Sequence, residues 1–415
     1  MATGLVGSGL LRGQDGGGDI LRVGLIGCGG RGTGAAAQAL NADKGAVLHA
    51  VGDVFSGPLE GSLRNLAAQF PGTDRASVPP ERRFVGLDAF RQVIDSGVDV
   101  VLLTTPPGFR PEHFRAAVEA GKHCFCEKPM AVDAAGVRSS METARMAKEK
   151  SLAVVAGFCW RYSPSRREAF QQLREGAIGE VTSVFSTYYT GPVKPYPGDE
   201  RRPAGMGDVE WQIRHWYNYS WISGDSLPEQ ACHSVDKISW ALGDIDPIAV
   251  IATGGRQVPS KGGNIYDHFH IAYEYPDDVI AHLGSCQIAG GLKQNTDVIR
   301  GTKGSLLIGK GPVPVIEGEN PWRFRGKGER NMYQVEHDEL FASIRAGKPI
   351  HDGDWMLRST LLSIAGRMAA YRGARITWQQ ALEDAEDLAP DGLALGDAFD
   401  PGGIPIPGSA GHRKA

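Results

Sequence analysis

The sequence is short of several things, and each shortage excludes a class of protein. Its six cysteines in 415 residues include no C-x-x-C pair and no Cys/His cluster at zinc-finger spacing, so neither a dithiol redox centre nor a structural zinc site is encoded. Cys124 and Cys126 alternate on one apparent strand and read as small packing side chains, not as a disulfide. The cysteines leave the redox compartment open. No apolar run approaches the roughly 18 residues of a membrane span. Neither sign of charge dominates: 44 Lys and Arg against 48 Asp and Glu give a net −4, which makes no electrostatic case for nucleic acid or an anionic membrane. There is no G-x-S-x-G elbow, no H-E-x-x-H, no EF-hand loop and no Walker loop. His233, His268 and His270 give no reason to prefer a metal site, and none is expected.

Glycine, by contrast, is plentiful at 56 residues, and one cluster of it is placed informatively. Gly27-Cys28-Gly29-Gly30-Arg31-Gly32 follows the apolar run Leu21–Ile26 and precedes the Ala-rich stretch Thr33–Leu40. In G-x-G-x-x-G after a strand, the first glycine makes the turn, the second lets backbone approach a pyrophosphate, and the third packs helix on strand. The helix amides then face the phosphates. Val47–Val51 reads as a second strand, and Asp53 stands where an acid accepts hydrogen bonds from the adenosine ribose and repels a 2′-phosphate. NAD is therefore favoured over NADP.

Strand-like and helix-like segments alternate through the first 150 residues. The strands are expected at Arg22–Gly27, Val47–Asp53, Asp99–Thr104, His123–Glu127 and Ala153–Gly157. Short apolar strands between helices imply a parallel sheet covered on both faces, with ligands beyond the carboxyl ends of the strands. The turns holding Thr104, Thr105, Pro106 and Cys126–Pro129 are placed to line that crevice. From Gly179 the strands follow one another without helices, which implies an α+β second domain. The expected division is a flexible arm or signal remnant over 1–20, an NAD-binding Rossmann domain over 21–157, a substrate-binding and oligomerisation domain over 158–382, and an irregular tail over 383–415. Ala2–Leu11 is small and apolar but lacks a basic start. As it stands the chain reads as cytoplasmic, and as periplasmic if those residues are what is left of an export signal.

Ala120-Gly121-Lys122-His123-Cys124-Phe125-Cys126-Glu127-Lys128-Pro129, together with the glycine fingerprint and Thr105-Pro106-Pro107, resembles the Gfo/Idh/MocA family of glucose–fructose oxidoreductase, inositol dehydrogenase and relatives. The resemblance runs from about Leu21 to about Leu382. It implies a Rossmann domain fused to a large, mostly antiparallel, open-faced sheet. It also implies NAD contacts from Gly27, Gly29, Gly30, Arg31, Gly32, Asp53, Thr104, Thr105, Pro106, Glu127 and Lys128. Lys128 would sit at the nicotinamide, where a neighbouring positive charge should lower its pKa and fit it for proton transfer. Pro129 can fix that backbone through a cis peptide.

Glu229-x-x-x-His233 matches a family Asp-x-x-x-His, with Glu in place of Asp. On a helix the two would share a face, with His233 as acid/base and Glu229 binding substrate. Aromatics and polar groups interleave from Glu210 to Trp221, a composition that suits a sugar ring and its hydroxyls. Trp211, Arg214 and Trp216 are the candidates there, with Arg161 and Tyr162 at the domain junction and His268 on the sheet. The implied function is NAD-dependent hydride transfer from a secondary hydroxyl of a sugar, sugar derivative or cyclitol, in a homo-oligomer. Two rival readings share the same motifs: a glycoside hydrolase that oxidises transiently with retained NAD, and a non-catalytic NAD-binding sensor.

Overall fold

The computed structural model describes residues 20–408 apart from 260, 327, 328, 389 and 391. The expected N-terminal arm, up to residue 19, lies outside the described residues, as does the end of the tail.

The first sheet is built from short apolar runs. β1 (Leu21–Ile26), β2 (Ala46–Asp53), β3 (Arg83–Val85), β4 (Val100–Leu103), β5 (His123–Cys126) and β6 (Val154–Ala156) pair in the order β3-β2-β1-β4-β5-β6, all parallel. Every residue of β4 is buried, as a strand covered on both faces requires. Helices α1 (Gly30–Ala42), α2 (Ser56–Gln69), α3 (Ala89–Asp95), α4 (Arg110–Glu119) and α5 (Ala134–Glu149) alternate with these strands. The strand order reverses between β1 and β4, so a crevice opens beyond their carboxyl ends. β3 was not expected. It is a three-residue edge strand, too short to show alternation.

After α6 (Pro164–Arg174) comes the second sheet. It consists of β7 (Val181–Tyr189), β8 (Ala249–Gly255), β9 (His268–Glu274), β10 (Ile280–Cys286), β11 (Gln294–Gly301), β12 (Gly304–Ile308), β13 (Val315–Gly318), β14 (Trp322–Arg323) and β15 (Ile376–Thr377), in the order β14-β13-β12-β11-β7-β10-β9-β8-β15. Neighbours are antiparallel except β7 and β10, which run parallel. Between β7 and β8 lie α7 (Asp208–Arg214), α8 (Ser220–Ser223) and α9 (Cys232–Ala241). After β14 come α10 (Met332–Arg345) and α11 (Gly353–Arg372), and α12 (Trp378–Leu382) follows β15.

One face of this sheet is covered. Ile271, Tyr273 and Leu283 share a buried cluster with Val235 of α9 and Leu361 and Ile364 of α11. The opposite face is open. Cross-strand register aligns Leu307, Val298, Phe185, His282, Ala272 and Ile251 in one row, and Phe185 and Ile251 remain 50% and 46% exposed.

Two segments tie the molecule together. α10 leaves the second sheet and returns to the first domain, where Val335, Leu340 and Phe341 join the buried cluster of β1 and α1. Among its described residues the tail has no regular element, yet it is docked: Gln212 donates to the Phe399 carbonyl (2.8 Å), Asn264 to Pro401 (2.7 Å) and Tyr266 to Pro405 (2.7 Å). Leu393, Leu395 and Phe399 pack on a small core of Trp211, Ile213, Tyr219 and Trp221, together with Val54, Phe55 and Phe109 of the first domain. Among the described residues no helix is long and apolar enough to cross a membrane, and no cluster of His, Cys, Asp and Glu could hold a metal ion.

Candidate active site

The glycine loop is shaped for a pyrophosphate. Gly27 has φ +93°, and a Cβ there would lie 2.7 Å from the Thr105 nitrogen; a Cβ on Gly32 would lie 1.9 Å from the Gly27 carbonyl oxygen. Both positions require glycine, one for the turn and one for helix-on-strand packing. At Gly29 and Gly30 a Cβ would meet nothing within 4 Å. That open face lies at the start of α1, whose first turn has no side-chain cap, so its amides are free to meet an anion. The residues present therefore fit the diphosphate of NAD.

Asp53 closes the loop from β2. Its carboxylate accepts the Cys28 N–H (2.7 Å) and the Phe55 N–H (2.9 Å), while burial pushes its pKa up. The Thr104 hydroxyl donates to the Gly27 carbonyl (2.6 Å). Thr105 bonds His113 (3.2 Å), and Pro106 caps a short turn at Pro107–Phe109. Arg31 is held by two carboxylates. It pairs with Glu127 and with Glu336 of α10 (2.6 Å), pinning the glycine helix to the Glu-Lys-Pro turn.

That turn follows β5. The Lys128–Pro129 peptide is cis, and the buried Arg110, which sequence reasoning missed, donates to the Pro129 carbonyl. Its only signal was an arginine two residues after Gly108 in an otherwise unremarkable helix start. The Lys128 ammonium donates to the Glu229 carbonyl and lies 3.1 Å from Glu229 Oε1. Lys128 and Glu229 are both buried. Burial alone would lower the Lys128 pKa, but the carboxylate of Glu229 reverses this and raises it above the usual lysine range. Among the protein groups, the opposite charge touching the ammonium outweighs its desolvation.

Glu229 and His233 lie on one continuous helical stretch, but not on a uniform α-helix. Leu227–Ala231 forms a π-helical turn that runs into α9, an irregularity found mostly at functional sites. The Gln230 amide holds the other Glu229 oxygen (2.6 Å), and Tyr188 of β7 in turn bonds Gln230 (3.1 Å). His233 is half-buried. It stacks on Trp160 at 5.8 Å and meets Phe158 edge-on. Its Nδ1 has no hydrogen-bond partner among the described residues. Burial, helped by the charges of Lys128 and Lys237, drives its pKa well below the ordinary histidine value, so the imidazole is neutral at pH 7.

The other expected substrate residues have different surroundings. Arg161 is buried, with its guanidinium on Asp236 (2.9 Å) and Asp244 (2.6 Å). The Tyr162 hydroxyl donates to Asp352. Trp211 is buried in the bridging core, and its indole N–H goes to Tyr196 (2.8 Å). Arg214 pairs with Glu210 (2.7 Å) and lies over the Phe55 ring at 3.9 Å. Trp216 is partly buried, with the Lys194 ammonium 5.0 Å from its ring. The His268 ring leans on Asp267 (2.7 Å) and is 45% exposed.

Residues 21–158 match the Gfo/Idh/MocA model described as an oxidoreductase family with an NAD-binding Rossmann fold, and residues 167–307 match the C-terminal domain of the same family. The chain belongs to the Gfo/Idh/MocA oxidoreductases. It is an enzyme of that NAD-binding type. Among its curated relatives, a levoglucosan dehydrogenase of Pseudarthrobacter phenanthrenivorans is 28% identical over 42% of this chain and 41% of its own length. An inositol 2-dehydrogenase of Acidothermus cellulolyticus is 24% identical over 76% of this chain and 79% of its own length. A solved levoglucosan dehydrogenase in complex with NADH and levoglucosan shares the fold at TM-score 0.68, with 21% identity, over 87% of this chain and 100% of that one.

Proposed function

We propose that this oxidoreductase removes hydride from a secondary hydroxyl-bearing carbon of a sugar, sugar derivative or cyclitol. The observation that carries the reading is the pairing of a charged Lys128 with a neutral His233 at the mouth of an NAD-shaped crevice. NAD, when bound, supplies the hydride acceptor. An ammonium has three donors, and two of those on Lys128 are directed at Glu229, which leaves one for the substrate oxygen. Lys128 thus holds the charge that builds there, and His233 takes the hydroxyl proton. Glu229 accepts from a neighbouring hydroxyl while fixing the lysine. We assign Arg161, Tyr162 and Trp211 to supporting this wall, because each already has its side-chain polar atoms bonded to protein; Arg214 pairs with Glu210 but stays exposed. Trp216 and His268 remain on the accessible side.

One reaction followed two ways tests the reading. Purified protein receives NAD and a panel of sugars, cyclitols and aryl glycosides, with NADH absorbance and released aglycone recorded together. Accumulating NADH without aglycone is expected. Aglycone released without net NADH would replace this reading by a redox-cycling glycosidase. NAD binding that no polyol or glycoside perturbs would leave a sensor.

The open row through Phe185 and Ile251 supports a homo-oligomer that covers this sheet face, since so much apolar surface is seldom left exposed. A monomer by light scattering at micromolar concentration would overturn that.

A further inference from the structure

A cavity lies at the end of β10, near the Lys128–Glu229 pair. Ser285 of β10 pairs with Tyr188 of β7, and Tyr188 reaches Gln230 beside Glu229. Gln287 lies two residues beyond Ser285 and therefore points to the same side, about 7 Å farther along the sheet. Its side chain bonds Tyr217, and these two residues form one wall of a cavity of about 200 Å³. Val193 and Pro195, Val258 and Pro259, and Ile265 and Ile288 give the rest of the lining much of its apolar surface. The cavity thus lies beside the reaction site, its Tyr217 wall within electrostatic reach of Glu229. Burial and the Glu229 carboxylate both push the Tyr217 hydroxyl up, which agrees with that proximity.

The polar side chains around the cavity are already committed to each other. Tyr196 bonds Tyr219 (3.1 Å) and Trp211 (2.8 Å). Arg256 gives its N–H groups to the carbonyls of Pro259, Gly262 and Ile265. Asp267 accepts from the Gln257 and Val258 amides (2.8 and 2.6 Å) and holds His268. Tyr266 is held by Pro405, and the Asn218 amide by the carbonyls of Lys194 and His215. Lys194 carries its charge at the exposed rim. Little is left inside to bind the hydroxyls of a second sugar. The volume suits one six-membered ring, since an apolar cavity of about 150 Å³ holds benzene.

We propose that this cavity is a subsite for an apolar, ring-sized aglycone, so that the substrate is a glycoside whose sugar lies between Lys128 and His233. The inference rests on the function proposed above and narrows it to a substrate class.

The test compares methyl pyranosides with the matched phenyl pyranosides in the full chain loaded with NAD. Turnover is measured alongside saturation-transfer NMR on the phenyl protons. The expected phenyl-to-methyl ratio of kcat/KM is about tenfold or more, near 1.4 kcal/mol, with strong transfer to the phenyl ring. Ala289→Trp, on the exposed loop after β10, fills the cavity and should bring the ratio to about one and abolish the transfer. Val193→Trp does the same from the opposite wall if the first variant does not fold. A wild-type ratio near one without phenyl transfer overturns the subsite and leaves the oxidoreductase reading intact. A high ratio that both variants retain also overturns the subsite. No turnover of any glycoside, with phenyl transfer that the variants lose, would leave a cavity that binds an apolar ring and overturn the glycoside as substrate, with free sugars and cyclitols still open to the proposed reaction.

Discussion

Two buried lysines act on His233, and they hold their protons differently. Lys128 touches Glu229 through both side chain and carbonyl, and its pKa rises. Lys237, one turn beyond His233 on α9, is 1% exposed, touches Asp297 and lies 3.8 Å from the Trp160 ring centre. Burial lowers its pKa to about 8 in spite of Asp297. Each has one carboxylate at contact distance, so pairing alone does not decide the outcome. Lys128 also feels Glu127 and donates to the Glu229 carbonyl as a second partner. Lys237 has Arg166 pushing the other way. The difference teaches that a buried ion pair fixes charge only when the surrounding charges agree with it. At the reaction end they agree, and in the supporting wall they conflict.

The sharpest way to break the comparison is to remove each lysine in turn. Lys128→Ala should lower turnover by about 10⁴-fold, with NAD binding still measurable by fluorescence. Unchanged turnover would remove Lys128 from the reaction. Lys237→Met should instead act on stability, by about 3–5 kcal/mol in denaturant titration, because Asp297 is then buried without a partner. Lys237→Met with Asp297→Leu should recover most of that loss. If the double variant is as unstable as the single one, the pair is not the cause.

A finer test converts one lysine into the other's condition. Glu229→Gln removes the charge that raises Lys128, so its pKa should fall, with burial then the largest influence on it. A lysine loses its proton as pH rises through its pKa. The variant's rate should therefore fall off at lower pH than the wild type's, by about tenfold per pH unit once the pH is above the lysine's lowered pKa. A level profile in both would mean that Lys128 charge does not matter. The smallest effect is expected at the shared ring: Trp160→Phe weakens the cation–π contact to Lys237 and should cost about 1 kcal/mol or less, read by thermal unfolding.

The same contrast explains what could be read from the sequence. The glycine loop and the Glu-Lys-Pro turn were legible because their chemistry is local: Gly27 and Gly32 are forced by backbone a few residues away. The parallel sheet was legible from its apolar runs. Lys128 was located, but its contact with Glu229 was not, since Glu229 is 101 residues away. Arg161 looked like a free base at a domain junction, and only the fold brings Asp236 and Asp244 to it. Aromatic composition from Trp211 to Trp221 could not separate rings that face a sugar from rings that face one another. The π-helical turn at Leu227–Ala231 leaves no pattern in periodicity, so Glu229 and His233 were placed on an ordinary helix.

The return of α10 to the first domain has a consequence for how this chain emerges from the ribosome. Glu336 reaches Arg31 across 305 residues of sequence, and Val335, Leu340 and Phe341 complete the apolar cluster begun by β1 and α1. The nucleotide-binding half cannot finish folding while the chain is still being made in order. It must wait, with an apolar gap beside its glycine helix, until β7 to β14 of the second sheet have been synthesised and passed by.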